Sequence, residues 1–303
     1  MITIYTRTNK IYTKEFLKWF GKKIVGKYTG PDAVLDSLVR GLTTLGISFE
    51  VNPFRPKYTI VHVISGITVL QEMITLKQKG LINTLLAGPT LVTTPYDHNN
   101  LIQNQHIDLL LFPSNWTKDF YVSLVPALEQ KIQIWPAGVN IPTQISSKEK
   151  VLVFKKNIPE DIFDKVIKIL DNRKIDYDIL YYGRYHKKEY YEKLSHASLL
   201  IYLQMTESQG LAIQEAWSFD IPTLVWQNKK WQDHSYEWSD PKISAPYLTD
   251  ESGIFFSLKT LDALLDAIQQ YKYHFSPRAY CIEKLSDYAS AQKYLEIIKH
   301  NVK

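Results

Sequence analysis

The chain has 303 residues, 45% apolar and 22% charged, a balance that fills a buried core and excludes a disordered or fibrous protein. A net charge of +5 favours anionic ligands without selecting one, and the single cysteine, Cys281, excludes an internal disulfide or a thiolate metal cluster. No apolar run approaches the roughly 20 residues of a membrane-spanning helix, and the start of the chain lacks the apolar stretch of an export signal, so a cytoplasmic protein is expected.

Short β-type runs alternate with helical periodicity almost throughout. In chain order, strands are predicted at Ile2–Tyr5, Ser48–Val51, Thr59–Val63, Thr90–Val92, Leu109–Phe112 and Lys131–Ile134. Helices near Pro31–Leu45, Thr68–Lys79 and Trp116–Tyr121 separate them. Val34, Leu35, Leu38, Val39 and Leu42 recur at three- and four-residue intervals, and Gly46 stops that helix. The rhythm breaks at Trp135–Pro142, and the polar run Thr143–Lys150 is the best linker in the chain.

Alternation then restarts. Strands are predicted at Val151–Phe154, Asp178–Tyr182, Leu199–Leu203, Thr223–Trp226 and Gly253–Phe256. Helices are predicted near Pro159–Asp171, Lys187–His196, Gly210–Phe219 and Thr260–Tyr271, with a last one over roughly Pro277–His300. Strands alternating with helices imply right-handed crossovers and parallel sheets. The expected class is α/β with two domains in tandem, 1–142 and 143–276, and a closing segment 277–303.

The segment after the strand Leu199–Leu203 carries the chemistry. A polar turn holds Glu207, and a helix begins near Gly210 with its free amides and positive dipole end toward that turn. Such a helix start receives a phosphate, and glycine allows close backbone approach. Glu215 lies in the helix itself. Each carboxylate can accept a forked pair of hydrogen bonds from the vicinal hydroxyls of a sugar or ribose.

The run Glu207-Ser-Gln-Gly-Leu-Ala-Ile-Gln-Glu215-Ala, followed by Ile221-Pro-Thr-Leu-Val225, resembles the retaining glycosyltransferases of family 4. The resemblance runs over nearly all the chain. Gly30-Pro-Asp-Ala-Val looks like that family's first glycine loop and helix. Phe112-Pro-Ser-Asn-Trp116 looks like its Pro-Ser-x-Trp step, and Trp135-Pro-Ala-Gly-Val-Asn140 like the element that ends its first domain. Ser252-Gly-Ile-Phe-Phe256 looks like its closing strand. This chain has Gln209 where many members have Phe, and Asp220 where many have Gly.

The resemblance implies a GT-B fold, two Rossmann-like domains with parallel sheets facing across a cleft. It also implies a retaining hexosyltransferase acting from a nucleotide-sugar donor on a hydroxyl acceptor, without a metal or other cofactor. Glu207 would orient the sugar. Gln209, Gly210 and Leu211 would line the donor, the latter two offering amides, and Glu215 would hold the ribose. Lys155, Lys156 and Arg184, at strand ends, would neutralise the diphosphate. Gly30, Tyr96 and His98 are candidates to line the cleft from the first domain. The last helix would pack back toward the first domain, as in the family.

Other features carry blander readings. His62, inside a strand, is expected to be a packed histidine. Asp176-Tyr-Asp178 matches an Asp-x-Asp metal pattern but lies on the wrong side of its strand. Lys14, Lys18, Lys22 and Lys23 among Phe16, Leu17, Trp19 and Phe20 form a candidate patch for weak peripheral membrane contact. No basic helix or aromatic platform points to nucleic acid. A nucleotide-sugar epimerase on the same fold and a non-catalytic sugar-nucleotide-binding module are the alternatives.

Overall fold

A computed structural model describes residues 1–11, 13, 16–17, 20–21, 28–143, 149–270 and 272–301. Lys14, Lys18, Trp19, Lys22 and Lys23 of the expected basic patch, and 144–148 of the expected linker, lie outside the described residues. The chain divides into two compact units, one made of Met1–Gly138 with Asp287–Lys303 and the other of Val139–Ser286. No described helix is long and apolar enough to cross a membrane.

The first unit holds a six-stranded parallel sheet in the order β2-β1-β3-β4-β5-β6. Its strands are β1 (Ile2–Tyr5), β2 (Phe49–Val51), β3 (Ile60–Val63), β4 (Thr84–Ala87), β5 (Leu109–Phe112) and β6 (Ile132–Ile134). Helices α1 (Gly30–Thr44), α2 (Ile67–Gln78) and α3 (Asn115–Leu124) make the longer crossovers. α1 starts where it does because Pro31 fills a first-turn position that needs no N–H. Asp32 also accepts the Thr29 amide at 2.8 Å. One expected strand is misplaced. Thr90–Val92 is irregular, and the strand of that region is Thr84–Ala87, ended by Gly88-Pro89 because proline cannot donate to the ladder.

The second unit holds a five-stranded parallel sheet in the order β13-β10-β9-β7-β8. These are β7 (Lys150–Lys155), β8 (Tyr177–Tyr181), β9 (Ala197–Leu203), β10 (Thr223–Trp226) and β13 (Gly253–Phe256). Its helices are α4 (Glu160–Asn172), α5 (Lys187–His196), α6 (Leu211–Ser218), α7 (Leu261–Gln269) and α8 (Pro277–Lys284). An antiparallel hairpin, β11 (Lys230–Asp233) and β12 (Tyr236–Ser239), was not expected, although Lys-Trp-Gln-Asp and Tyr-Glu-Trp-Ser alternate with period two.

Both faces of this sheet are covered, which is why its strands are nearly continuous apolar runs. Successive side chains point to opposite faces. Leu152, Phe154, Leu200 and Tyr202 join Tyr190, Leu194, Ile213 and Trp217 in one core layer with α5 and α6. Val151, Val153, Leu199, Ile201 and Leu203 join Phe163, Val166, Leu170 and Leu261 in the other, with α4 and α7. The chain runs from β7 to β8 on one side and returns to place β9 on the other. The carboxyl ends of β7 and β9 therefore flank the topological switch point, where open α/β sheets bind their ligands.

The expected single closing helix is two. α8 belongs to the second unit, where Arg278 donates to the carbonyls of Ser218 and Pro142, each at 2.6 Å. After a break at Leu285-Ser286, α9 (Asp287–Asn301) belongs to the first unit. Arg40 of α1 grips Asp287 through Nε at 2.6 Å and a second guanidinium nitrogen at 3.1 Å. Trp135 Nε1 donates to the Ser290 carbonyl at 3.1 Å, and Ser290 Oγ to that of Pro136 at 2.7 Å. Gly41 is where the two helices touch: a Cβ there would stand 2.3 Å from the Asp287 carbonyl oxygen and 2.5 Å from the Ala291 Cβ.

His62 is a packed histidine. It is fully buried between Trp135 and Tyr294, its Nε2 donates to the Gly88 carbonyl at 2.8 Å, and its Nδ1 accepts from the Tyr294 hydroxyl at 3.1 Å. Burial lowers its pKa from 6.5 to about 4, against the opposing pull of the Gly88 carbonyl.

Two outcomes follow. The native state holds His62 neutral where the unfolded chain would protonate it, so the stability this gives is full above pH 6.5 and is lost as pH falls toward 4. Denaturant titration should show about 3 kcal/mol lost through this residue by pH 4, a component absent from His62→Gln. Gly41→Ala should cost about 2–3 kcal/mol in the same assay, because backbone rather than a mobile side chain blocks the methyl group.

Candidate functional site

The geometry at the β7/β9 switch point follows from strand parity. Residue 156 continues the parity of Leu152 and Phe154 and so emerges on the face that carries α5 and α6. Tyr202, near the end of β9, has the same orientation. Glu207 lies in the turn after β9, fixed by its own amide donating to the Ile243 carbonyl at 2.8 Å. These three meet. Lys156 Nζ lies 2.7 Å from Glu207 Oε1, and the Tyr202 hydroxyl donates to the same oxygen at 2.5 Å.

Glu207 is only 8% exposed, so its carboxylate is held by a cation and a phenol in place of bulk water. Burial, then the charge of Glu207 beside it, drives the Tyr202 pKa far up, so this phenol stays protonated and donates.

Gly210 follows with φ +86°, the left-handed conformation that glycine adopts without strain. A Cβ there would meet Ile213 Cγ2 at 3.0 Å and Glu207 Cβ at 3.7 Å. Gly210 caps α6 and has no side chain to close the helix start, and the first intrahelical bond is Gln214 N–H to the Gly210 carbonyl at 3.1 Å. The amides of the first turn are thus presented beside Glu207, as an anion-binding helix start requires. Leu211, at its first position, packs against the core layer beneath.

Glu215, one turn further on, is bound by Lys187 Nζ at 3.2 Å and by the Tyr191 hydroxyl at 2.8 Å, both from α5. Gln209 is turned inward, its side-chain amide donating to Gln214 Oε1 at 3.0 Å in a buried pair. It braces the helix start through its side chain.

The expected cations separate. Lys155 has the parity of Val151 and Val153 and goes to the opposite face, where it pairs with Glu160 and lies 4.1 Å from the Phe163 ring centroid. Lys156 stays with Glu207, its ammonium 4.6 Å from the centroid of the exposed Tyr182 ring. Arg184 is exposed in the β8–α5 loop, its guanidinium 5.7 Å from the Tyr181 ring centroid. Asp176 and Asp178 pair with different lysines, Lys150 and Lys193, each at 3.4 Å.

In the first unit, Gly30 is exposed at the start of α1. The Tyr96 hydroxyl donates to the Leu124 carbonyl at 3.0 Å, and His98 opens a run of three residues with positive φ, His98, Asn99 and Asn100.

Tyr202, Tyr191 and Lys187 were not singled out in the sequence. The signal for Tyr202 was its two-residue step from the buried Leu200 on a strand leading straight to Glu207. Lys187 and Tyr191 needed the packing of α5 beside α6, which spacing alone does not give.

Removing either lysine separates their roles. Lys156→Met should cost about 2–3 kcal/mol in denaturant unfolding, because it leaves the Glu207 carboxylate buried without its cation. Lys155→Met should cost about 0–1 kcal/mol, since its partner Glu160 is largely solvated.

No family model and no curated protein sequence matches the chain. Solved structures do. The chain is similar to the lipopolysaccharide outer core galactosyltransferase WaaB in its apo form, at 11% identity and a TM-score of 0.63, covering 99% of each chain. It is similar to sucrose-phosphate synthase from Thermosynechococcus elongatus, at 9% identity and a TM-score of 0.61, over 99% of this chain and 98% of that one. It is also similar to the pneumococcal O-GlcNAc transferase GtfA in complex with UDP and GlcNAc. There the identity is 12% and the TM-score 0.51, over 80% of this chain and 57% of that one. The chain has the α/β GT-B fold, with two parallel sheets of six and five strands.

Proposed function

We propose that the chain is a retaining hexosyltransferase of the family 4 type, moving a hexose from a nucleotide-sugar to a hydroxyl acceptor. The observation that carries this reading is the buried Glu207, held by Lys156 and Tyr202 at the switch point beside the glycine-capped start of α6. A carboxylate that can accept from sugar hydroxyls, amides that can donate to a diphosphate and a second carboxylate for ribose succeed one another along one strand–turn–helix unit. That is the order in which a nucleotide-sugar presents its parts.

Glu207 would orient the hexose, with Lys156 and Tyr202 fixing the carboxylate's direction. The first amides of α6 and the Lys156 ammonium would take the charge that grows on the departing diphosphate, where fixed donors need no reorganisation. Glu215, steadied by Tyr191, would receive the ribose hydroxyls. In this role Lys155 is not needed, since its ammonium is committed to Glu160. The galactosyltransferase and the UDP-bound O-GlcNAc transferase among the similar structures support sugar transfer as the use of this fold.

A thermal-shift screen against UDP, GDP, ADP and their hexose conjugates tests the proposal. At least one nucleotide and its sugar should raise the Tm, and Glu207→Gln should lower the rate of sugar transfer roughly 100-fold or more. No shift with any of the ligands would contradict it.

A further inference from the structure

Around Phe154, at the end of β7, four tyrosine rings gather. The centroids of Tyr182, Tyr185, Tyr190 and Tyr202 lie 6.3, 5.9, 5.5 and 5.2 Å from its own. The two fully buried ones hand their hydroxyls to the site's framework: Tyr202 to Glu207 at 2.5 Å, and Tyr190 to the Ala212 carbonyl in the first turn of α6 at 2.6 Å. Tyr185, from the loop between β8 and α5, is half-buried, braced edge-on by Phe154 and at a tilt by Tyr190, 5.5 Å away. Its hydroxyl makes no hydrogen bond to the protein among the described residues, yet it stands within electrostatic reach of both Glu215 and Glu207.

A phenol in that position keeps a proton to donate. Burial first, then the charges of Glu215, Tyr182 and Glu207, hold it protonated well beyond the physiological range. That proton needs an acceptor oxygen, and in the donor-site reading the two carboxylates within its reach serve different parts of the ligand. Between the group that takes the hexose and the group that takes the ribose lies the diphosphate.

We propose that the Tyr185 hydroxyl donates a hydrogen bond to the diphosphate of the bound nucleotide-sugar, making Tyr185 a donor-binding residue beside the start of α6. This rests on the donor-site reading above. Phe154 and Tyr190 hold the ring, so little rotamer freedom is lost when the bond forms. The same bond strengthens as negative charge collects on the leaving group, which makes it worth more in the transition state than in the ground state.

The test uses the full chain and Tyr185→Phe, which keeps the ring and its packing. Calorimetric titration is run with whichever of UDP, GDP or ADP binds the intact protein, and with the monophosphate of the same base. The variant should bind the diphosphate roughly 10- to 100-fold more weakly. It should bind the monophosphate within about twofold of the wild type, and its unliganded Tm should be unchanged.

Tyr182→Phe, which removes a solvent-exposed hydroxyl from the same loop, should leave both affinities in place. Unchanged diphosphate binding in Tyr185→Phe would overturn the proposal, and so would equal weakening of both ligands, which marks a merely structural role. If the wild type binds none of the three diphosphates, the donor-site reading itself fails, an outcome separate from either of these.

Discussion

A carboxylate withdrawn from water must be held by something, and the arrangement around Glu207 is the constraint on which the second unit turns. Its partners come from two neighbouring strands, Lys156 just past the end of β7 and Tyr202 near the end of β9. Both can reach it only because they share the strand parity that faces α5 and α6. A register slip of one residue in either strand would send its partner to the opposite face and leave the charge buried alone. The parallel ladder between Val151–Lys155 and Leu199–Leu203 therefore fixes the chemistry of the turn as well as the sheet. The order β8, β7, β9 places that turn at the switch point.

The aromatic layer beneath extends the same logic. Phe154 is the hub, and the tyrosines around it act as rigid spacers whose polar ends reach the site while their rings fill the core. This explains the use of tyrosine where phenylalanine or leucine would pack as well: the hydroxyls of Tyr190, Tyr191 and Tyr202 hold α6, its Glu215 and the Glu207 of the preceding turn in position. The first unit uses a similar device for stability. His62, Trp135 and Tyr294 form a buried cluster that fastens α9 to its sheet, while Arg40 and Asp287 fasten it to α1. The break at Leu285-Ser286 gives α8 and α9 to separate units. Val139 N–H, at the other boundary, donates to the Leu285 carbonyl at 2.9 Å.

Much of this is legible in the sequence because parallel strands buried on both faces are apolar runs, and the helices between them keep their period. The turn with Glu207, Gly210 and Glu215 is legible because a strand, a glycine and a helix follow one another without interruption. Which of Lys155 and Lys156 shares the face of Glu207 was also within reach, since counting from Phe154 decides it.

Other features depend on contacts distant in sequence. The break in the last helix is set by Arg278 binding Ser218 and Pro142 and by Asp287 binding Arg40. Periodicity within 277–300 carries no trace of that division. β4 was not expected because Leu85, Leu86 and Ala87 are helix formers without the β-branched and aromatic residues that mark most of the other strands. The inward turn of Gln209 depends on Gln214, a pairing visible only once α6 is folded.

The central claim is that Glu207 holds the sugar part of a nucleotide-sugar. The most direct measurement is a calorimetric comparison of the nucleotide-sugar with its nucleotide alone, on the wild type and on Glu207→Gln. The expected result is that the wild type gains affinity from the hexose, that the variant loses this gain, and that both proteins bind the bare nucleotide alike. A variant that keeps the full advantage of the sugar-bearing ligand would contradict the account.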